Sequence, residues 1–105
     1  MSDVVIVLST VPDDASAEKI ARALVDERLA ACVNVLPPMT SIYRWKGAVE
    51  RDTERQLVMK TTRGSLPALE KRLKALHSYE VPEFVVLDIS GGGAYFDWVR
   101  EQVTP

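Results

Sequence analysis

Ser41-Ile42-Tyr43-Arg44-Trp45-Lys46-Gly47-Ala48-Val49-Glu50 sets two β-prone runs on either side of a Lys46-Gly47 pair. Glycine takes positive φ at no steric cost, so a tight turn there folds the chain back as a hairpin. The first arm starts at about Thr40, just after Pro37-Pro38. Proline cannot donate to a sheet ladder, so the pair marks a bend that separates this arm from an earlier strand, Cys32 to Leu36. The return arm runs to about Thr62. From Glu50 to Gln56 it is almost wholly polar, so its two faces cannot both enter a core. Leu57-Val58-Met59 marks the point where it re-enters one.

Working outward, Val4 to Leu8 is a continuous aliphatic run, the pattern of a strand inside a sheet, and it closes at Thr10-Val11-Pro12. Asp13 and Asp14 supply N-cap chemistry for a helix whose Ala17, Ile20, Ala21 and Leu24 share one side, with an expected end at about Leu29. Downstream of the hairpin, Ser65 is placed as the N-cap of a second helix. Pro67 falls in its first turn, Leu66, Leu69, Leu73 and Leu76 form one face, and Glu70 and Lys74 can pair outside. Phe84 to Ile89 is a further strand, and Gly91-Gly92-Gly93 separates it from a short C-terminal helix with Tyr95, Phe96, Trp98 and Val99. The order β-α-β-β-α-β plus a terminal helix predicts an α+β, ferredoxin-like domain over residues 1–105, with helices on one face of an antiparallel sheet. The other face and the hairpin edge lack a cover, and self-association supplies one.

The 105 residues are 47% hydrophobic and 27% charged with a net charge of -2, an ordinary globular composition. No clustered basic face for nucleic acid is visible, since the densest group, Lys71, Arg72 and Lys74, fits a solvated helix side. Met1-Ser2-Asp3 carries no basic stretch and the apolar run after it is too short to span a bilayer, so no membrane association is expected. The expected location is the cytoplasm. A single cysteine, Cys32, agrees with a reducing compartment.

His77, the only histidine, lies at the end of the second helix beside Glu80 and Glu83, where it reads either as a metal ligand or as a structural residue. Cys32 reads either as a soft ligand or as a small buried hydrophobe. No HExxH or CxxC occurs, and one thiol with one imidazole cannot complete a tetrahedral zinc site unaided. Gly91-Gly92-Gly93 lacks the phosphate-loop patterns and reads as a connection. Tyr43, Arg44 and Trp45 near the hairpin tip, with Tyr79, suit a ligand cleft or a subunit interface. Glu50, Asp52 and Glu54 alternate, so they share one strand face, and such a run reads first as solvated and second as a site for hard cations. Ser9, Ser41 and Thr61 have no second histidine to activate them, so no enzyme is expected.

Arg28-Leu29-Ala30-Ala31-Cys32-Val33-Asn34, Ser41 to Gly47, Lys60-Thr61 and His77-Ser78-Tyr79-Glu80-Val81-Pro82-Glu83, in this order and spacing, resemble the CutA family of divalent-cation tolerance proteins over nearly the whole chain. The resemblance implies a homotrimer of ferredoxin-like subunits, similar in architecture to PII signalling proteins, and an association with tolerance of copper and other divalent metals. The family's second-strand cysteine matches Cys32, and the histidine of its H-x-Y-x-x-P-E segment matches His77. Copper-binding members with a further cysteine at the end of the first strand and a histidine before that segment differ from this chain, which has Ser9 and Leu76 there. The expected function is therefore a cytoplasmic homotrimer in the response to metal ions, with weak binding of copper or other divalent cations and no required cofactor. His77 is the leading ligand, followed by Cys32 and Glu83. The alternative is a PII-like sensor whose inter-subunit clefts, lined by Tyr43, Trp45, Lys60 and Tyr79, bind a small ligand or a partner protein.

Overall fold

Lys46 at φ 49° and Gly47 at φ 84° both occupy the left-handed region, the combination that matches the twist of a two-residue hairpin. In the computed structural model, which describes residues 3–103, this turn joins β3 (Met39–Trp45) to β4 (Ala48–Thr62). Met1, Ser2, Thr104 and Pro105 lie outside the described residues. The ladder runs from Trp45↔Ala48 to Met39↔Glu54. Beyond Pro37-Pro38, β2 (Cys32–Val35) pairs with the second half of β4, from Val35↔Leu57 to Cys32↔Lys60. The bend therefore divides one edge between β2 and β3, and the Leu36 amide keeps contact with the Gln56 carbonyl at 3.0 Å.

On the other side of β4 lies β1 (Val4–Pro12), which pairs in turn with β5 (Val85–Asp88). The order β2-β4-β1-β5, antiparallel throughout with β3 also on β4, is the expected ferredoxin-like sheet. β1 continues through the aliphatic run to the expected close at Thr10-Val11-Pro12, paired with β4 as far as Pro12↔Glu54.

Val5, Val7, Val11, Leu57 and Met59 project from the sheet against Ala17, Ile20 and Leu24 of α1 (Ser16–Asp26) and Leu69 and Leu73 of α2 (Leu66–Leu76). Each fully buried aliphatic side chain there contributes about 1.5–3 kcal/mol. Asp14 Oδ1 accepts from the Ser16 amide at 2.8 Å just ahead of α1, whereas the N-cap position is Ala15, without a side-chain cap, and the expected partner Asp13 accepts from Arg55 Nε at 2.8 Å instead. The helix ends at Asp26, three residues before Leu29, because Arg28 turns at φ 59° and the Leu29 amide bonds back to the Leu24 carbonyl. Ser65 precedes α2 without capping it; its hydroxyl meets that of Thr62 at 3.3 Å instead.

α3 (Gly93–Gln102) departs from the expected placement of helices on one face. Its Phe96 and Val99 pack with Val4, whose side chain alternates to the face opposite Val5 and Val7. The chain needs glycine at Gly91 for this, since a Cβ there would stand 2.8 Å from the Phe96 ring. α3 covers only one end of that face. Ile6, Leu8 and Val58 stay half-buried, and Val85 and Leu87 are exposed.

Candidate functional site

The half-covered face opens at the hairpin end into a cleft of about 610 Å³. One wall is the β3 face with Ser41, Tyr43 and Trp45, and β4 adds Glu54. The opposite wall is the segment after α2, from Ser78 to Glu83. Thr10 of β1 also lines it.

His77 anchors that second wall. The Tyr79 backbone N–H, which can only donate, bonds His77 Nδ1 at 3.1 Å, so Nδ1 is the unprotonated ring nitrogen. Nε2 then carries the hydrogen and donates to the Thr10 carbonyl at 2.7 Å. β5 pairs with β1 only up to Leu8, so His77 takes over where that ladder stops. Both ring nitrogens are engaged, and the Tyr79 ring lies beside the imidazole, tilted by 45°, at 4.6 Å between centroids.

Two phenol–carboxylate pairs run along the cleft. The Tyr79 hydroxyl donates to Glu54 Oε2 at 2.6 Å, and the Tyr43 hydroxyl donates to Asp52 Oδ2. Burial, reinforced by Glu54, pushes the Tyr79 phenol well above its ordinary range. The bond to Asp52 pushes the Tyr43 phenol up to about 12. Both groups are therefore neutral donors at physiological pH, and Asp52 and Glu54 are held as acceptors. Gln56 Nε2 donates to Glu83 Oε2 at 3.0 Å and to the Ser9 carbonyl at 2.8 Å, fixing the end of the segment to the sheet.

Of the residues singled out for a cleft, Tyr43, Trp45 and Tyr79 come together, whereas Lys60 does not. Its ammonium bonds Asn34 Oδ1 and approaches Cys32 Sγ at 4.0 Å, further along the open face. His77 and Glu83 both lie by the Thr10↔Gln56 pair, while Cys32 pairs with Lys60, four residues along β4. Among the described residues no group of three His, Cys, Asp or Glu is placed to hold a metal ion. The sequence reading missed Thr10 and the roles of Glu54 and Asp52 as phenol acceptors. The alternation of Glu50, Asp52 and Glu54 was visible, but only the register against Tyr43 and Tyr79 assigns them partners.

Residues 5–102 match the family model described as CutA1 divalent ion tolerance protein. The chain belongs to this family. Divalent-cation tolerance protein CutA of Thermus thermophilus is 56% identical over 97 residues, 91% of this chain and 94% of that protein. Protein CutA of Homo sapiens is 45% identical over 88% of this chain, which spans about half (52%) of the human protein's length. Among solved structures, the Thermus thermophilus divalent cation tolerance protein superposes with a TM-score of 0.92 at 53% identity, covering 96% of this chain and 99% of that one. The Nostoc structure described as a PII-like protein CutA in apo form gives a TM-score of 0.89 at 39% identity, over 95% and 97%. The CutA fold thus extends over the hairpin, the segment from Ser78 to Glu83 and the cleft between them.

Proposed function

We propose that the chain acts in divalent-cation tolerance as a cytoplasmic homotrimer without catalytic turnover, and that its working surface is the cleft between the hairpin and the segment from Ser78 to Glu83. The observation that supports this is the position of Tyr43, Trp45 and Tyr79 beside a sheet face left half-covered within the single chain. Cation binding is weak in this account. A metal at His77 must displace one of two existing hydrogen bonds, each worth about 1 kcal/mol net. Cys32, the one thiol, lies elsewhere on the sheet. Titration calorimetry with copper, zinc and cobalt tests this reading: weak binding that falls further in His77→Ala supports it, and equal binding by the two proteins removes His77 as a ligand.

A second reading, a PII-like sensor, is favoured by the size and aromatic lining of the cleft. A metabolite screen by thermal shift distinguishes it, because a specific ligand raises the melting temperature by mass action.

A further inference from the structure

Glu54 lines the cleft with only 7% of its surface exposed. Glutamate is almost never buried this far without a charge partner, because a carboxylate taken out of water needs a cation to compensate it. Here Oε2 accepts from the Tyr79 hydroxyl, a neutral donor that satisfies a lone pair and leaves the charge in place. Glu83, half-buried on the opposite wall, is held by the equally neutral Gln56 amide. Among the described residues neither carboxylate pairs with a lysine or arginine, and no basic side chain lines the cleft. Arg55, next to Glu54 in sequence, lies on the other face of β4 and pairs with Asp13.

The cleft also shows which kind of cation suits it. Lys46, from the hairpin turn, sets its ammonium 5.5 Å from the centre of the Trp45 ring and 3.5 Å from Glu80 Oε2. The chain's own primary amine thus already engages one ring and one carboxylate that line the cleft. Beside Glu54 and Glu83, the Tyr43 and Tyr79 rings have no such cation among the described residues. A metal ion is the poorer fit, since rings do not coordinate hard cations and no group of three His, Cys, Asp or Glu among the described residues is placed to hold one.

We propose that the cleft binds a linear polyamine, an alkyl chain with two or more primary ammonium groups, its charges answering Glu54 and Glu83 and its methylenes lying against Tyr43, Trp45 and Tyr79. This rests on the cleft being a ligand site, the second reading above, and adds the class of ligand. Two uncompensated carboxylates call for at least two positive charges on one molecule. An ammonium also gains from aromatic neighbours once it leaves water, and about 610 Å³ accommodates a flexible chain of this kind.

Calorimetric titration with spermidine, at about 0.15 M salt so that loose surface attraction is screened, tests the proposal. Saturable binding is expected. It should weaken by about tenfold or more in Glu54→Gln, which keeps an acceptor for Tyr79 and removes the charge. Trp45→Ala, a change at a partly exposed side chain, is expected to weaken it by about three- to tenfold. Circular dichroism confirms that both variants fold. Butane-1,4-diol, a similar chain without charge, is expected not to bind. Absence of saturable binding by spermidine overturns the proposal, and so does binding that the folded variants keep at wild-type strength, which is attraction to the acidic surface at large. Displacement of spermidine by magnesium at an equal concentration of charge assigns the cleft to hard cations and overturns it as well. The thermal-shift screen separates the proposal from the reading beneath it. A specific neutral or anionic ligand in place of spermidine overturns the polyamine alone, and a screen without any ligand, spermidine included, overturns the sensor with it.

Discussion

The Tyr79 hydroxyl donates at 2.6 Å to a Glu54 carboxylate that is only 7% exposed, tying the segment after α2 to the middle of the long β4 strand. That bond, together with the two bonds of His77, holds one wall of the cleft at a fixed distance from the other. Tyr79→Phe removes the donor and leaves a buried carboxylate short of a partner. The expected loss is about 1–3 kcal/mol in urea unfolding, compared at fixed protein concentration so that assembly does not contribute to the difference.

Ser9 presents the opposite case. Its hydroxyl is fully buried on the helix-covered face, beside Leu57 across the ladder, and finds no hydrogen-bond partner among the described residues. A buried hydroxyl without a partner costs free energy that an apolar group does not. Ser9→Ala is therefore expected to unfold at higher urea, by about 0.5–2 kcal/mol.

High pH reports on the phenols. The Tyr43 phenol is raised to about 12 by its bond to Asp52, above the ordinary value of 10.0. A folded value above the unfolded one means that the stabilisation is complete below pH 10.0 and is lost as the pH rises through about 12. Absorbance titration of tyrosinate is expected to show Tyr43 ionising late, and Asp52→Asn to return it toward the ordinary value.

Much of the fold was legible in the sequence, for physical reasons. Lys46-Gly47 placed the hairpin turn because only left-handed backbone closes a two-residue loop of the right twist. Leu69 and Leu73 placed the inner face of α2 by helical spacing. The side of the sheet taken by α3 was not legible, since Phe96 and Val99 show that the helix has an apolar side and not which strand residue receives it. The same limit applied to the site. Aromatic residues at Tyr43, Trp45 and Tyr79 signalled a cleft, but Lys60 was assigned to it from sequence and stands with Asn34 because of the register between β2 and β4. Local pattern specifies a face, and pairing between distant strands decides what that face meets.

The turn itself can be tested alone. Gly47 sits at φ 84°, and a Cβ added to it would meet open space, so any penalty for Gly47→Ala is conformational and not steric. The expected cost is about 1 kcal/mol, with the rest of the fold unchanged by circular dichroism.

The imidazole offers a spectroscopic check on the cleft wall. Long-range nitrogen–proton correlation at neutral pH is expected to show His77 with a protonated Nε2 and a bare Nδ1, as its bonds to Thr10 and Tyr79 require. The reverse tautomer would mean that this wall is built differently.

The proposed function requires the chain to assemble as a homotrimer. Light scattering of the wild-type protein at micromolar concentration measures this directly. A species of three times the chain mass is the predicted result, and a species of the chain mass alone would contradict the account.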